Sequence, residues 1–344
     1  MGKKVQNSID ILLEYACPSI QSRIRLEILG ESPQSDDILM LQSLILEDDL
    51  VKKVIRQQQD DGWIDRDFHG FNSIEAGIRI LTEKGIFPSN RVIERALDAL
   101  SKGDNRLNLG IGKVGRILDD LGFGGSHRIK AAVFAYTGLK DESFIGDEIE
   151  KALMCFRFIR KVERVSDVYY KYRNKLVFKP GILWPDIYAL RLLAFTNSWR
   201  SEENMAIISE AIHRLVLLSP IPPIYVRHKS QLIAPGSFVM NDFNPVLDQL
   251  DDAGWMMWFH RMEMLARLGI KKSIPQLQAQ LERLIGFIDQ DSGIFNKHLN
   301  HYTFNKWGAY SGLMLERDWR SPKRRKYDLT FRALLIFHYM NRNG

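Results

Sequence analysis

The residues best suited to acid–base chemistry gather between Asp248 and Arg267. A helix advances by about 100° per residue, so Asp252, Trp255, Phe259 and Glu263 fall on one face, and His260, Glu263 and Arg267 on an adjoining edge. In that register Asp252 is a candidate general acid or base near the helix start. His260 suits proton transfer near neutral pH, and Glu263 is a third titratable member beside an apolar cavity walled by Trp255 and Trp258. The competing reading is packing alone. Glu263 and Arg267 have the spacing of an intrahelical ion pair, and the tryptophans then belong to the core.

Three further groups carry chemistry. Asp186, Tyr188 and Arg191 lie in an otherwise apolar run, where a lone basic residue must be paired or must hold the carboxylate or phosphate of a ligand. His298, His301, Tyr302, Trp307 and Tyr310 mix titratable and aromatic groups, a blend suited to sugar stacking with acid–base work. Two histidines without a matched carboxylate motif do not make a metal site, and no metal is assigned. Asp289-Gln290-Asp291-Ser292-Gly293 opens like a calcium loop, but the later ligand positions do not follow, so it reads as a turn. Two basic stretches could contact nucleic acid phosphates or an anionic membrane, although a solvated helix face and a surface loop are the more ordinary readings: Lys151 to Lys179, opposed only by Glu163 and Asp167, and Lys323-Arg324-Arg325-Lys326, placed in a loop after Pro322.

The elements that must position these groups read as helices. Three segments share a glycine-containing turn followed by a helix with small residues: Gln57 to Ile86, Leu118 to Leu139, and Asp289 to Glu316. Gly85-Ile86, Gly138-Leu139 and Gly269-Ile270 close apolar runs as left-handed helix ends do. Asn72 with Glu75 has a capping-box spacing, and Pro185 with Asp186 opens another helix. The runs 252–268 and 186–195 are apolar almost all round, as inner helices must be, whereas 207–218 and 274–288 are amphipathic. Ser219 to Pro245, with Pro220, Pro222, Pro223, Pro235 and Pro245, breaks the rhythm and reads as a long loop lying over a cavity mouth. Strand signals are scarce.

At 344 residues, 45% hydrophobic and 26% charged, the chain can bury a sizeable core, and its net charge of +6 tilts mildly toward anionic partners. The two cysteines, Cys17 and Cys155, show no disulfide pattern. No run approaches the roughly 18 apolar residues of a membrane span, and no signal peptide opens the chain. A cytoplasmic protein is expected.

The turn QQQDDGW at Gln57 to Trp63 resembles the Gln-to-Gly-Trp turn of squalene cyclases, with Gly124-Gly125 and Ser292 to Phe295 as degenerate copies. CPSIQSRIRLEILG, LWPDIYALRLLAFTNSWR, GWMMWFHRMEMLARLGI and the ending WGAYSGLMLERDWRSPKRRKYDLTFRALLIFHY resemble an uncharacterised bacterial group of prenyltransferase/squalene-oxidase-repeat proteins. The resemblance implies the α/α toroid of the terpenoid cyclase and protein prenyltransferase superfamily. That is an all-α, single domain over 1–344, with 1–45 as a helical extension packed on it. The signatures of its chemistry are missing. Asp248-Gln249-Leu250-Asp251-Asp252 has the wrong spacing for the protonating acid motif, no Asp-Asp-x-x-Asp helix is present, and neither cysteine sits in a zinc-ligand context.

The leading functional expectation is therefore a hydrophobic small molecule, an isoprenoid among the candidates, bound or transformed in a central cavity. Asp252, His260 and Glu263 would be its catalytic groups, and Trp63, Trp184, Tyr188, Arg191, Trp255, Trp258, Trp307 and Tyr310 its ligand contacts. The cofactor is left open. Two alternatives stand beside it: a carbohydrate-active enzyme, and a non-catalytic helical scaffold binding nucleic acid or protein through a basic surface.

Overall fold

The computed structural model describes residues 2–103, 105–108, 111–139, 143–236, 238–270, 274–308 and 311–342. Helix accounts for 59% of the chain, but the expectation of an all-α toroid is overturned by a four-stranded mixed sheet. The chain divides into two compact units, one comprising Met1–Lys102, Leu250–Gly269 and Ala279–Gly344, the other Gly103–Gln249 and Ile270–Gln278.

In the first unit the helices Gly2–Tyr15, Pro18–Arg23, Asp36–Leu46, Asp49–Arg56, Ile74–Glu83 and Arg91–Ser101 precede Asp252–Leu268 and Pro322–Arg342. Their ends follow local chemistry. Asp48, Ser73, Asn90 and Asp251 cap helix starts by accepting backbone N–H groups. The cap at 73 is one residue later than the Asn72 expected, because Glu75 pairs with His69 instead of reaching back. Gly85 and Gly269 take positive φ at 89° and 80°, and the Ile86 N–H closes the first of these ends on the Leu81 carbonyl at 3.0 Å.

Helix Asp252–Leu268 is buried almost all round, as its sequence requires. Two of its interior charges, Glu263 and Arg267, are neutralised in a closed ring. Arg23 meets Glu27 at 2.5 Å and Glu83 at 2.7 Å; Glu83 meets Arg332 at 2.9 Å; Arg332 meets Glu263 at 3.3 Å; Glu263 meets Arg267 at 3.0 Å; and Arg267 returns to Glu27 at 3.1 Å. Tyr339 donates to Glu27 at 2.8 Å, beneath the Arg267 guanidinium. Burial opposes ionisation of Glu27, but the charges of Arg23 and Arg267 outweigh it and bring the carboxyl to about 2.

The third glycine-turn segment departs from its expected helix. Beyond a single turn at Tyr302–Phe304, its described residues up to Ser321 form no regular element. The buried Arg79 takes the place of a helix ladder by donating to the carbonyls of Gly308, Ser311 and Gly312.

The second unit packs Ile111–Asp120, Ser126–Tyr136, Ser143–Ile159, Ile187–Phe195 and Glu202–Leu218. Asp186 caps its helix through Ala189 N–H at 2.7 Å. It also pairs at 3.3 Å with Arg128, whose Nε lies 3.6 Å from Glu148. A side chain on Gly124 would meet both Arg128 and Asp186 at 2.4 Å, so the glycine pair serves this close approach.

Strands β1 (Tyr169–Tyr172), β2 (Lys175–Phe178), β3 (Ile224–His228) and β4 (Gln231–Ile233) lie in that order, antiparallel except for the parallel β2–β3 pair. The segment expected to be a structureless lid at Ser219 to Pro245 therefore contains a hairpin. Arg173 and Lys229 hold positive φ of 55° at the two-residue turns, positions usually given to glycine.

Glu83→Gln takes one ring carboxylate from both Arg23 and Arg332. It is expected to lower the unfolding free energy by about 3 kcal/mol, against little change for Asp98→Asn in the exposed Lys102 pair. Urea titration checks this, and equal effects from the two substitutions would contradict the ring's structural role.

Candidate functional site

The residues expected to form a catalytic cavity are mostly interior. Trp63, Trp255 and Trp258 are fully buried, and Trp255 packs edge-on against Trp258, Phe287 and Phe295 at centroid distances of 5.4, 5.2 and 5.7 Å. Trp258 Nε1 donates to Gln280 at 2.7 Å. His260 is 4% exposed within the same helix, and Glu263 is held in the ion ring. Asp252 sits at the helix start and accepts the Asn300 N–H at 2.6 Å. Eight helical residues separate it from His260, roughly 12 Å along the axis, so the two do not converge on one reacting atom. Trp307 is buried beneath Arg79, and Tyr310 lies outside the described residues. In the second unit Trp184 packs against Phe178 in a tilted arrangement at 5.6 Å, while Tyr188 and Arg191 are buried with the guanidinium 5.3 Å from the ring. His298 and His301 do not converge either: His298 contacts Arg325 at 3.4 Å, and His301 caps the turn at Thr303.

The exposed chemistry is basic and belongs to the second unit. Helices Ser143–Ile159 and Glu202–Leu218 bury Ile145, Ile149, Ala152 and Phe156 against neighbours such as Ile208, Ala211 and Leu215, and this pattern leaves their charged stripes outside. Arg157, Arg160, Lys161, His213, Arg214, Glu210 and Leu217 line an open groove of about 560 Å³ there. Arg160 pairs with Glu210 at 2.5 Å, Arg157 donates to Asn204 at 3.1 Å, and Arg214 anchors on the Val162 carbonyl. Lys161 and His213 are exposed. Arg157 also lies 3.6 Å from Glu150, so among the described residues two carboxylates, Glu150 and Glu210, pair within a cluster of five groups that are cationic or can become so.

The two chain segments that continue from these helices enter the sheet. From Val168 to Trp184 and again from Pro220 to Asn241 there is no Asp or Glu, while Lys171, Arg173, Lys175, Lys179, Arg227 and Lys229 fall within them. Pairing of Tyr170 with Val177, Tyr172 with Lys175, and Val177 with Tyr225 sets Tyr170, Tyr172, Lys175, Tyr225 and Arg227 on one face. The Arg227 guanidinium lies 4.1 Å from the Tyr172 ring centroid and donates to Tyr170 Oη at 3.3 Å. Arg173 lies 5.3 Å from Tyr172, and Lys175 lies 5.4 Å from Tyr225. All three tyrosines are half-buried. The basic stretch was visible in the sequence; the aromatic partners were not singled out, although Tyr-Tyr-Lys-Tyr-Arg at 169–173 alternates them with cations.

The second basic stretch is different. Lys323 to Lys326 forms the first turn of helix Pro322–Arg342 and not a loop. Arg325 turns inward to the Trp319 carbonyl, and Arg324 pairs with Asp318. Nearby, Glu316 borders an open pocket of about 500 Å³ with Tyr15, Arg320, Lys323 and Arg324. Burial, with the charge of Asp328 behind it, pushes the Glu316 carboxyl up to about 7 against the opposing Cys17 N–H. Burial also lifts Asp328 to about 6, opposed by hydrogen bonds from Trp319 Nε1 at 2.6 Å and Leu315 N–H at 2.7 Å.

Both carboxyls hold their protons more tightly in the folded chain than in the unfolded one. Their contribution to stability is therefore full at acidic pH and is lost as pH rises through about 6 and about 7. Glu27 works in the opposite sense, its contribution lost as pH falls toward about 2. Glu316→Gln is expected to flatten the decline in stability between pH 5 and pH 7, measured by denaturant titration across that range. Parallel curves for the variant and the unaltered chain would contradict the assignment. Compared with protein-family models, curated proteins and solved structures, the chain matches none.

Proposed function

We propose that this protein binds nucleic acid through the basic surface of its second unit. The observation that carries the reading is the concentration of cations there. Arg157, Arg160, Lys161 and Arg214 frame one groove, and two acid-free segments supply the adjoining sheet. A phosphate backbone is the ligand that uses many such cations at once, because each neutralised phosphate releases condensed counterions. An arginine tethered by part of its guanidinium, such as Arg214 to Val162, is already partly ordered, which reduces the entropy lost on binding.

The readings with an enclosed ligand, an isoprenoid or an oligosaccharide, require aromatic side chains bordering a cavity. Trp63, Trp184, Trp255 and Trp258 instead fill the interior against other side chains. The basic surface has exposed groups with which to meet a ligand; among the described residues no helix is long and apolar enough to cross a membrane.

Binding of a labelled oligonucleotide should weaken with salt, with a logarithmic slope near −3 if about four phosphates are engaged at roughly 0.7 each. Arg160→Gln with Lys161→Gln should weaken binding severalfold at low salt and reduce the slope by about 1.4. Fluorescence anisotropy measures both. No binding at low ionic strength, or a slope untouched by the double substitution, would contradict the proposal.

A further inference from the structure

Resting on the nucleic-acid reading, we infer that the bound strand is single and that its bases stack on the tyrosine–arginine face of the sheet. Three features of that face select this ligand. The rings of Tyr170, Tyr172 and Tyr225 are half-buried on one side of adjoining strands, set there by the pairings of β1 with β2 and of β2 with β3. Such rings offer apolar planes at a polar surface, and bases splayed from a single strand stack on such planes. In a duplex the base faces are already stacked on each other and cannot be used.

The cations are interleaved with the rings. Arg227 lies 4.1 Å from the Tyr172 centroid, Arg173 lies 5.3 Å from it, and Lys175 lies 5.4 Å from the Tyr225 ring. A guanidinium stacked on tyrosine can extend the platform to a base while its N–H edge remains able to meet phosphate. The hairpin tips add to this. Arg173 and Lys229 occupy left-handed turn positions at φ 55°, where glycine would be free of strain, and each puts a cation at the rim of the sheet. Neither segment carries a carboxylate of its own to compete for those cations. An aliphatic membrane-inserting face would present Leu, Ile or Phe. The aliphatic residue that the register places on this face, Val177, is buried instead, and the groups around it that reach solvent are tyrosines and cations.

The test compares four ligands by anisotropy or flotation: a single-stranded oligonucleotide, an abasic strand of equal length, the corresponding duplex, and phosphatidylserine vesicles. The single strand is expected to bind roughly tenfold or more tightly than the abasic strand. Tyr172→Ala and Tyr225→Ala should each erase most of that difference and leave abasic binding unchanged, while Tyr172→Phe should keep it. Should an alanine variant fail to fold, the comparison of ligands on the unaltered chain decides. Equal binding of normal and abasic strands, both weakened by Arg160→Gln with Lys161→Gln, would overturn stacking and leave the phosphate reading standing. A preference for duplex would also overturn it. Binding of vesicles with no binding of any nucleic acid would overturn both.

Discussion

A charge placed inside a protein must find its opposite, and this chain meets that requirement with a closed circuit. Arg23, Glu83, Arg332, Glu263, Arg267 and Glu27 alternate in sign, so each guanidinium faces two carboxylates and each carboxylate two guanidiniums. Desolvating six ions costs several kcal/mol apiece, and a chain of isolated pairs would leave terminal groups half-satisfied. Closure removes the termini. It also ties helices Ile74–Glu83, Asp252–Leu268 and Pro322–Arg342 to the π-helical turn at Ile24–Ile28 through side chains that each element contributes. The apolar packing around Trp255 and Phe259 is built on helices tied in this way.

The same constraint orders the second unit and leads to its surface. Arg128 is answered inside by Asp186 and Glu148, while Arg157, Lys161, Arg214 and the cations of the sheet lie toward the outside, where Glu150 and Glu210 pair with Arg157 and Arg160. The ring in the first unit is neutral, three positive against three negative, so the chain's net charge of +6 resides elsewhere. An uncompensated cationic surface repels itself and weakens the compact state. A polyanion that binds it relieves that repulsion.

Much of the helical framework was legible in local chemistry. The glycine ends at 85, 138 and 269 all take positive φ, and the apolar run 252–268 is a buried helix. Glu263 and Arg267 pair at i,i+4 as the packing reading had it, with the rest of their ring supplied by residues far away in sequence. The tryptophans show the limit of periodicity. A Trp at a helix start has the same pattern whether it walls a cavity or fills a core, and only tertiary packing separates the two. The sheet was missed for a different reason. Its strands are three to five residues long, and both hairpin turns place Arg173 and Lys229 where Asn-Gly or Gly would announce a hairpin. Five prolines around β3 and β4 then favoured a loop. The third glycine-turn segment failed as a helix because its backbone is held by Arg79, a partner outside the segment.

The central claim is one of place: nucleic acid should lie along the basic groove and sheet of the second unit. Photochemical cross-linking of a 4-thiouridine oligonucleotide, followed by mapping of the modified peptides, tests it most directly. The account predicts adducts confined to residues 157–175 and 213–229, above all at the tyrosines of β1 and β3. Adducts concentrated in the first unit, or scattered without preference, would contradict it.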